Sequence, residues 1–137
     1  MKKKMVKNVL AMALGTMIAA TAALTPVSAM ADSSYVSASL NGYSCTGSIS
    51  VNFQSATAVT TFSRGNSKIF ATAIVYCYKG TKKVSYKSGP ASSTAGGTSA
   101  TAYKITSEEE VYAGRGIHQA GYDSFKWGPV ETFIERY

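Results

Sequence analysis

His118 is the only histidine in the chain, and Asp123 and Ser124 follow it closely, so one short segment holds the three residue types of a hydrolytic triad. Nearness in sequence does not make a triad, which requires a base hydrogen-bonded to both a nucleophile and an orienting carboxylate. A serine nucleophile on a strand-to-helix elbow also needs a Gly-x-Ser-x-Gly turn, and the sequence contains none. The expectation is a structural histidine in a strand or turn and no catalytic residue. Glu108, Glu109 and Glu110 carry hard oxygen ligands of the kind calcium prefers, but consecutive residues do not converge easily on one ion, so they read as a solvated acidic turn. The acids are also too clustered to face one another across a glycosidase cleft. Two cysteines thirty-two residues apart and one histidine do not make a zinc ligand set. No metal and no cofactor is implied, and the chain reads as a non-enzyme.

The remaining chemistry lies in aromatic and basic side chains. Nine tyrosines, five phenylalanines and the single Trp127 give contact area, and the tyrosines add a polar tip suited to gripping glycans or a membrane surface. Core packing accounts equally well for Phe53, Phe70 and Phe133. The best binding candidates are Tyr76, Tyr78 and Tyr86, which flank Lys79, Lys82 and Lys83 around a tight turn. These six residues are the expected ligand-binding surface.

Elements that could position them begin after a leader. Lys2, Lys3, Lys4 and Lys7 precede an apolar stretch from Val9 to Leu24 that ends at Pro26. Ala29-Met30-Ala31 offers the small-x-small pattern of a signal-peptidase site, and Val27-Ser28-Ala29 is a second such site, so residues 1–31 read as a cleaved signal peptide. The stretch is shorter than the roughly 20 apolar residues that span a bilayer. Residues 32–137 then form one secreted domain, acting outside the cytoplasm or at a cell surface.

Loss of the leader removes four of the fourteen basic residues and none of the seven acids, leaving a net charge of +3. That is too mild for a nucleic-acid-binding signature. Between Ser33 and Ile105 there are seven basic residues and no acid, whereas six of the seven acids follow. This asymmetry predicts a basic end, facing an anionic wall polymer, glycan or membrane surface, and an acidic one. Cys45 and Cys77, an even pair in an exported protein, are most simply a disulfide, which would constrain the unfolded chain by roughly 3 to 4 kcal/mol.

Apolar residues recur with period two, as strands require. Val36, Ala38 and Leu40 share one face, as do Cys45, Gly47, Ile49, Val51 and Phe53. The longest strand candidate is residues 68–78, with Ile69, Ala71, Ala73, Val75 and Cys77 on one side and Phe70, Thr72, Ile74, Tyr76 and Tyr78 on the other. Both sides look buried or aromatic, as for a central strand. Turns are expected at Arg64-Gly65-Asn66-Ser67 and Lys79-Gly80-Thr81-Lys82, a flexible loop over residues 88–98, and a helical turn at residues 107–110. The sum is an all-β chain, a small antiparallel β-sandwich that is immunoglobulin-like in shape but not in motif. No tryptophan lies between the cysteines, and Val75 stands where a tyrosine corner would sit.

The run Ser44-Cys45-Thr46-Gly47-Ser48-Ile49-Ser50-Val51, with Ser55-Ala56-Thr57-Ala58 after it and residues 118–127 near the end, resembles small exported proteins of Gram-positive bacteria. More faintly it is similar to the lactococcin 972 class of bacteriocins, which are signal-bearing β-sandwich proteins. That likeness implies a secreted antibacterial role as the alternative to cell-surface binding, and no site residue is carried over from it.

Overall fold

The computed structural model describes residues 8–10 and 32–136. The strands are β1 (Asn8–Leu10), β2 (Asp32–Leu40), β3 (Tyr43–Val51), β4 (Ser55–Phe62), β5 (Lys68–Lys79), β6 (Lys82–Ser93), β7 (Gly96–Tyr103), β8 (Glu109–Tyr122) and β9 (Phe125–Glu135). Asn41 and Gly42 both take positive φ, which is the twist-matched reversal of a two-residue hairpin, and they join β2 to β3. Gly80 and Asp123 supply the positive φ at the β5–β6 and β8–β9 turns.

The strands form two wholly antiparallel sheets, ordered β2-β3-β4-β7 and β1-β9-β8-β5-β6, packed face to face as a β-sandwich. β5 is a central strand, as its length and composition predict. Its two faces differ, and of the outer one only Thr72 is buried. Ile69, Ala71, Ala73, Val75 and Cys77 are all fully inside, whereas Phe70, Ile74, Tyr76 and Tyr78 are partly or wholly exposed on the outer face. Asn8–Leu10, within the expected leader, pair with Thr132–Ile134 at the β9 edge. The rest of that leader, with both cleavage sites, lies outside the described residues.

Residues 88–98 are strand rather than loop for most of their length. β6 runs to Ser93 against β5, and β7 starts at Gly96 against β4. Small, polar residues are poor intrinsic strand formers, but ladder pairing with two long neighbours overrides propensity. Residues 107–110 form no helix: Glu109 opens β8. Residues 128–135 belong to β9, which pairs with β8 on one side and β1 on the other within the five-stranded sheet; Tyr137 lies outside the description.

The core is divided along the strands. One cluster gathers Val36, Ala38, Cys45, Phe62, Ile69, Ala120, Trp127 and Val130; the other gathers Ile49, Val51, Ala58, Ala73, Val75, Cys77, Val111 and Ile134. A polar layer separates them. On β4, Thr60 stands between Ala58 and Phe62; on β9, Thr132 stands between Val130 and Ile134; and His118 of β8 lies between the sheets with no exposed surface. Its Nδ1 is 2.8 Å from Thr60 Oγ1 and its Nε2 is 2.7 Å from Thr132 Oγ1, so the imidazole links the two sheets. Glycine makes the space: a methyl at Gly47 would come within 2.5 Å of the His118 ring, and one at Gly116 within 2.6 Å of Nε2.

The expected disulfide is not formed, because the cysteines occupy different clusters at opposite ends of the sandwich. Ile69 shares the cluster of Cys45, and Cys77 lies eight residues further along the same strand, about 26 Å at the rise of extended chain. No rotamer closes that gap, since bridged Cα atoms are within about 7 Å of each other. Both thiols are buried, and burial pushes Cys45 up to about 12 and Cys77 up to about 11.

Candidate functional site

Strand alternation in β5 sends Tyr76 and Tyr78 outward because Val75 and Cys77 fill the core. β8 adds Tyr112 beside them and β9 adds Phe133. The Tyr78 and Tyr112 ring centroids are 4.3 Å apart, Tyr76 and Tyr112 6.2 Å, and Tyr76 and Phe133 6.1 Å, in the offset and tilted arrangements that aromatic quadrupoles favour. The result is a strip of four aromatic rings crossing three strands on the outer face of the sheet.

Cations flank it. Lys83 Nζ lies 5.7 Å from the Tyr78 centroid and 5.5 Å from that of Tyr112, and the Arg115 guanidinium lies 5.9 Å from Tyr76, all within cation–π range. Arg115 Nε is also 3.7 Å from Glu131 Oε2. A cleft of about 420 Å³ opens at one end of the strip between Tyr78, Lys83, Tyr112, Glu110 and Arg136. Partial burial raises the Tyr112 hydroxyl above its ordinary value, with Lys83 opposing the shift.

The structure divides the six expected ligand-binding residues. Tyr76, Tyr78 and Lys83 come together on the strip. Lys79 and Lys82 pair at the hairpin tip, one register position beyond the Tyr78–Lys83 pair and on the opposite side of the sheet. Tyr86 lies against the core, where its hydroxyl donates to Glu109 Oε1 at 2.5 Å and is itself raised to about 12, chiefly by that hydrogen bond. Glu109 is only 2% exposed, and its Oε2 accepts from the Ile105 and Thr106 amides at 2.8 and 3.2 Å. The Tyr86 bond, followed by the amides, holds this carboxyl below its ordinary value. The acidic run is therefore not a uniformly solvated turn, because alternation buries Glu109 and leaves Glu108 and Glu110 exposed.

The separation of charge read from the sequence does not survive folding. Antiparallel pairing of β5 with β8 sets Glu109 opposite Lys79 and Glu110 opposite Tyr78, so the acids return to the basic hairpin. The triad residues stay apart as well: both ring nitrogens of His118 are taken by threonines inside the sandwich, while Asp123 and Ser124 form an exposed turn. Burial lowers His118 to about 4. Among the described residues, no group of three or more His, Cys, Asp or Glu side chains is placed to hold a metal ion. Trp127 is wholly in the core, whereas Phe53 is half exposed.

Sequence reading missed Tyr112, Phe133 and Arg115. Gly114, Gly116, Gly121 and Gly128 interrupt the sequence pattern there, and a bulge opposite Tyr76 and Cys77 shifts the alternation of β8 so that Ala113 and Gly114 are both buried. The signal that could have found them was the pairing of β8 with β9 in one hairpin, which sets Arg115 opposite Phe133. Compared with known proteins, the chain matches no family model, no curated protein and no solved structure.

Proposed function

We propose that this is a secreted, non-enzymatic binding protein that grips a cell-surface glycan or wall polymer on the outer face of its five-stranded sheet. The observation that carries the reading is the Tyr78–Tyr112–Tyr76–Phe133 strip, exposed on a sheet whose backbone is already paired. Three of its four rings bear hydroxyls, and cations stand at its sides. A saccharide offers C–H faces to stack on rings and hydroxyls to bond with tyrosine, lysine and arginine tips. Interleaving of Lys83 and Arg115 with the rings also suits a polymer that carries some negative charge.

Binding of the purified protein to Gram-positive cells and to their isolated walls, at low and high salt, tests the reading. Replacing Tyr76 and Tyr112 together by Ala is expected to weaken binding by about tenfold or more, the loss typical of truncating exposed aromatic anchors. Unchanged binding would move the site elsewhere. Culture growth is followed in parallel, because killing at low protein concentration would instead support the antibacterial role that the bacteriocin likeness implies.

A further inference from the structure

A second cleft, larger than that beside Tyr78, opens near the other end of the same face. Its volume is about 730 Å³, and its lining includes Lys68, Phe70, Gln119, Tyr122, Phe125 and Lys126. Register explains the convergence. Gly121 of β8 pairs with Lys68 of β5 on one side and with Lys126 of β9 on the other. Ile69, Ala120 and Trp127, the next residues in the same row, all point into the core, so Lys68, Gly121 and Lys126 face outward together. With strands about 4.8 Å apart, the two lysines leave the sheet about 10 Å from each other with no side chain between them. The glycine is required there, since a methyl would stand 2.6 Å from the Phe125 carbonyl oxygen.

The next register pair, Tyr122 and Phe125, turns to the core side and fixes the end of the sheet beneath the lysines. Tyr122 and Phe125 pack with centroids 5.2 Å apart, and the Tyr122 hydroxyl accepts from Asn41 Nδ2 at 2.8 Å. Arg64 lies 3.8 Å over the Tyr122 ring, adding a third cation at this end. Among the described residues, Asp123 is the one acid that accompanies these cations, whereas the hairpin end mixes Lys79, Lys82 and Lys83 with Glu108, Glu109 and Glu110. Folding therefore moves the unneutralised positive charge from the basic hairpin to the Gly121 row.

We infer that the cleft around Gly121 binds an anionic saccharide unit, its carboxylate or phosphate held between Lys68 and Lys126 and its ring set against Phe70. The saccharide part of this assignment rests on the glycan reading of the aromatic strip. From Phe70 to Tyr78 the face runs about 26 Å along β5, so one extended oligosaccharide spans both sites.

The experiment titrates the ¹⁵N-labelled protein with glucuronate, glucose 6-phosphate and neutral glucose while amide shifts are followed. The expected result is movement of Gln119, Gly121 and Lys126 with one or both anionic sugars and none with glucose at equal concentration. Response to glucuronate alone assigns a uronate, and response to the phosphate alone assigns a phosphorylated sugar. Replacing both exposed lysines, Lys68→Gln with Lys126→Gln, is expected to weaken the interaction by about tenfold or more, and raising salt to weaken it in the wild type. Tyr76→Ala with Tyr112→Ala should leave these shifts unchanged while reducing binding to walls, which separates failure of this site from failure of the strip. Equal response to glucose, no response of the Gly121 row to any probe, or full affinity in the lysine variant would each overturn the inference. Free inorganic phosphate displacing both sugars without any effect of the sugar ring would overturn the saccharide part.

Discussion

Lowering the pH from 7 to 4 should loosen this sandwich through His118 before any carboxylate contributes. The ring is fully buried, and its two nitrogens are bonded to Thr60 and Thr132. In the neutral imidazole one nitrogen donates and the other accepts, and each threonine hydroxyl suits either role. Burial holds the folded-state value at about 4 against 6.5 in the unfolded chain. The unfolded state thus takes up a proton first, so stability is complete above about pH 7 and falls as pH drops through 6.5 toward 4. At 1.36 kcal/mol per unit, the loss is about 2 kcal/mol by pH 5 and about 3 kcal/mol near and below pH 4. Glu109 acts later: its lowered value stabilises the fold above the ordinary glutamate range and is lost only as pH falls below it. The assay is urea unfolding at several pH values between 7.5 and 4, for wild type and His118→Gln. The variant should be weaker at pH 7, by about 1–3 kcal/mol for the hydroxyl left without a partner, and nearly flat between pH 7 and 5. Equal slopes for the two proteins over that interval would show that His118 is already charged or solvated in the fold, and would refute the argument.

Gly47→Ala is expected to cost about 3 kcal/mol, at the upper end for overpacking, because the added methyl meets a ring tethered on both sides; thermal or urea unfolding measures it. The two buried thiols should resist a thiol reagent in the native protein and react in denaturant. Reducing agent should leave the unfolding midpoint unchanged, whereas an intrachain bridge would make it fall. Cys45→Ala and Cys77→Ala should add independently, since they belong to separate core clusters, and a strongly non-additive double variant would contradict that placement.

The all-β class, the central position of residues 68–78 and the turns at Gly80 and near Asn66 were legible in the sequence. Period-two alternation and positive-φ residues act locally, so a one-dimensional reading captures them. Part of the aromatic strip and its flanking cation was legible for the same reason, since Tyr76, Tyr78 and Lys83 share one face of one hairpin. Tyr86, Lys79 and Lys82 lie on the other side of the sheet by the same alternation. Only the tertiary structure decided that Cys45 and Cys77 lie at opposite ends, that His118 joins the sheets, that Tyr112 and Phe133 complete an aromatic strip, and that Lys68 and Lys126 flank Gly121. Each of these depends on which strands are neighbours, on a bulge that shifts register, or on which end of a strand a residue occupies. The charge distribution shows the difference most directly: acids absent between Ser33 and Ile105 are returned to the basic hairpin by antiparallel pairing, because position along a folded sheet is set by register rather than by distance along the chain.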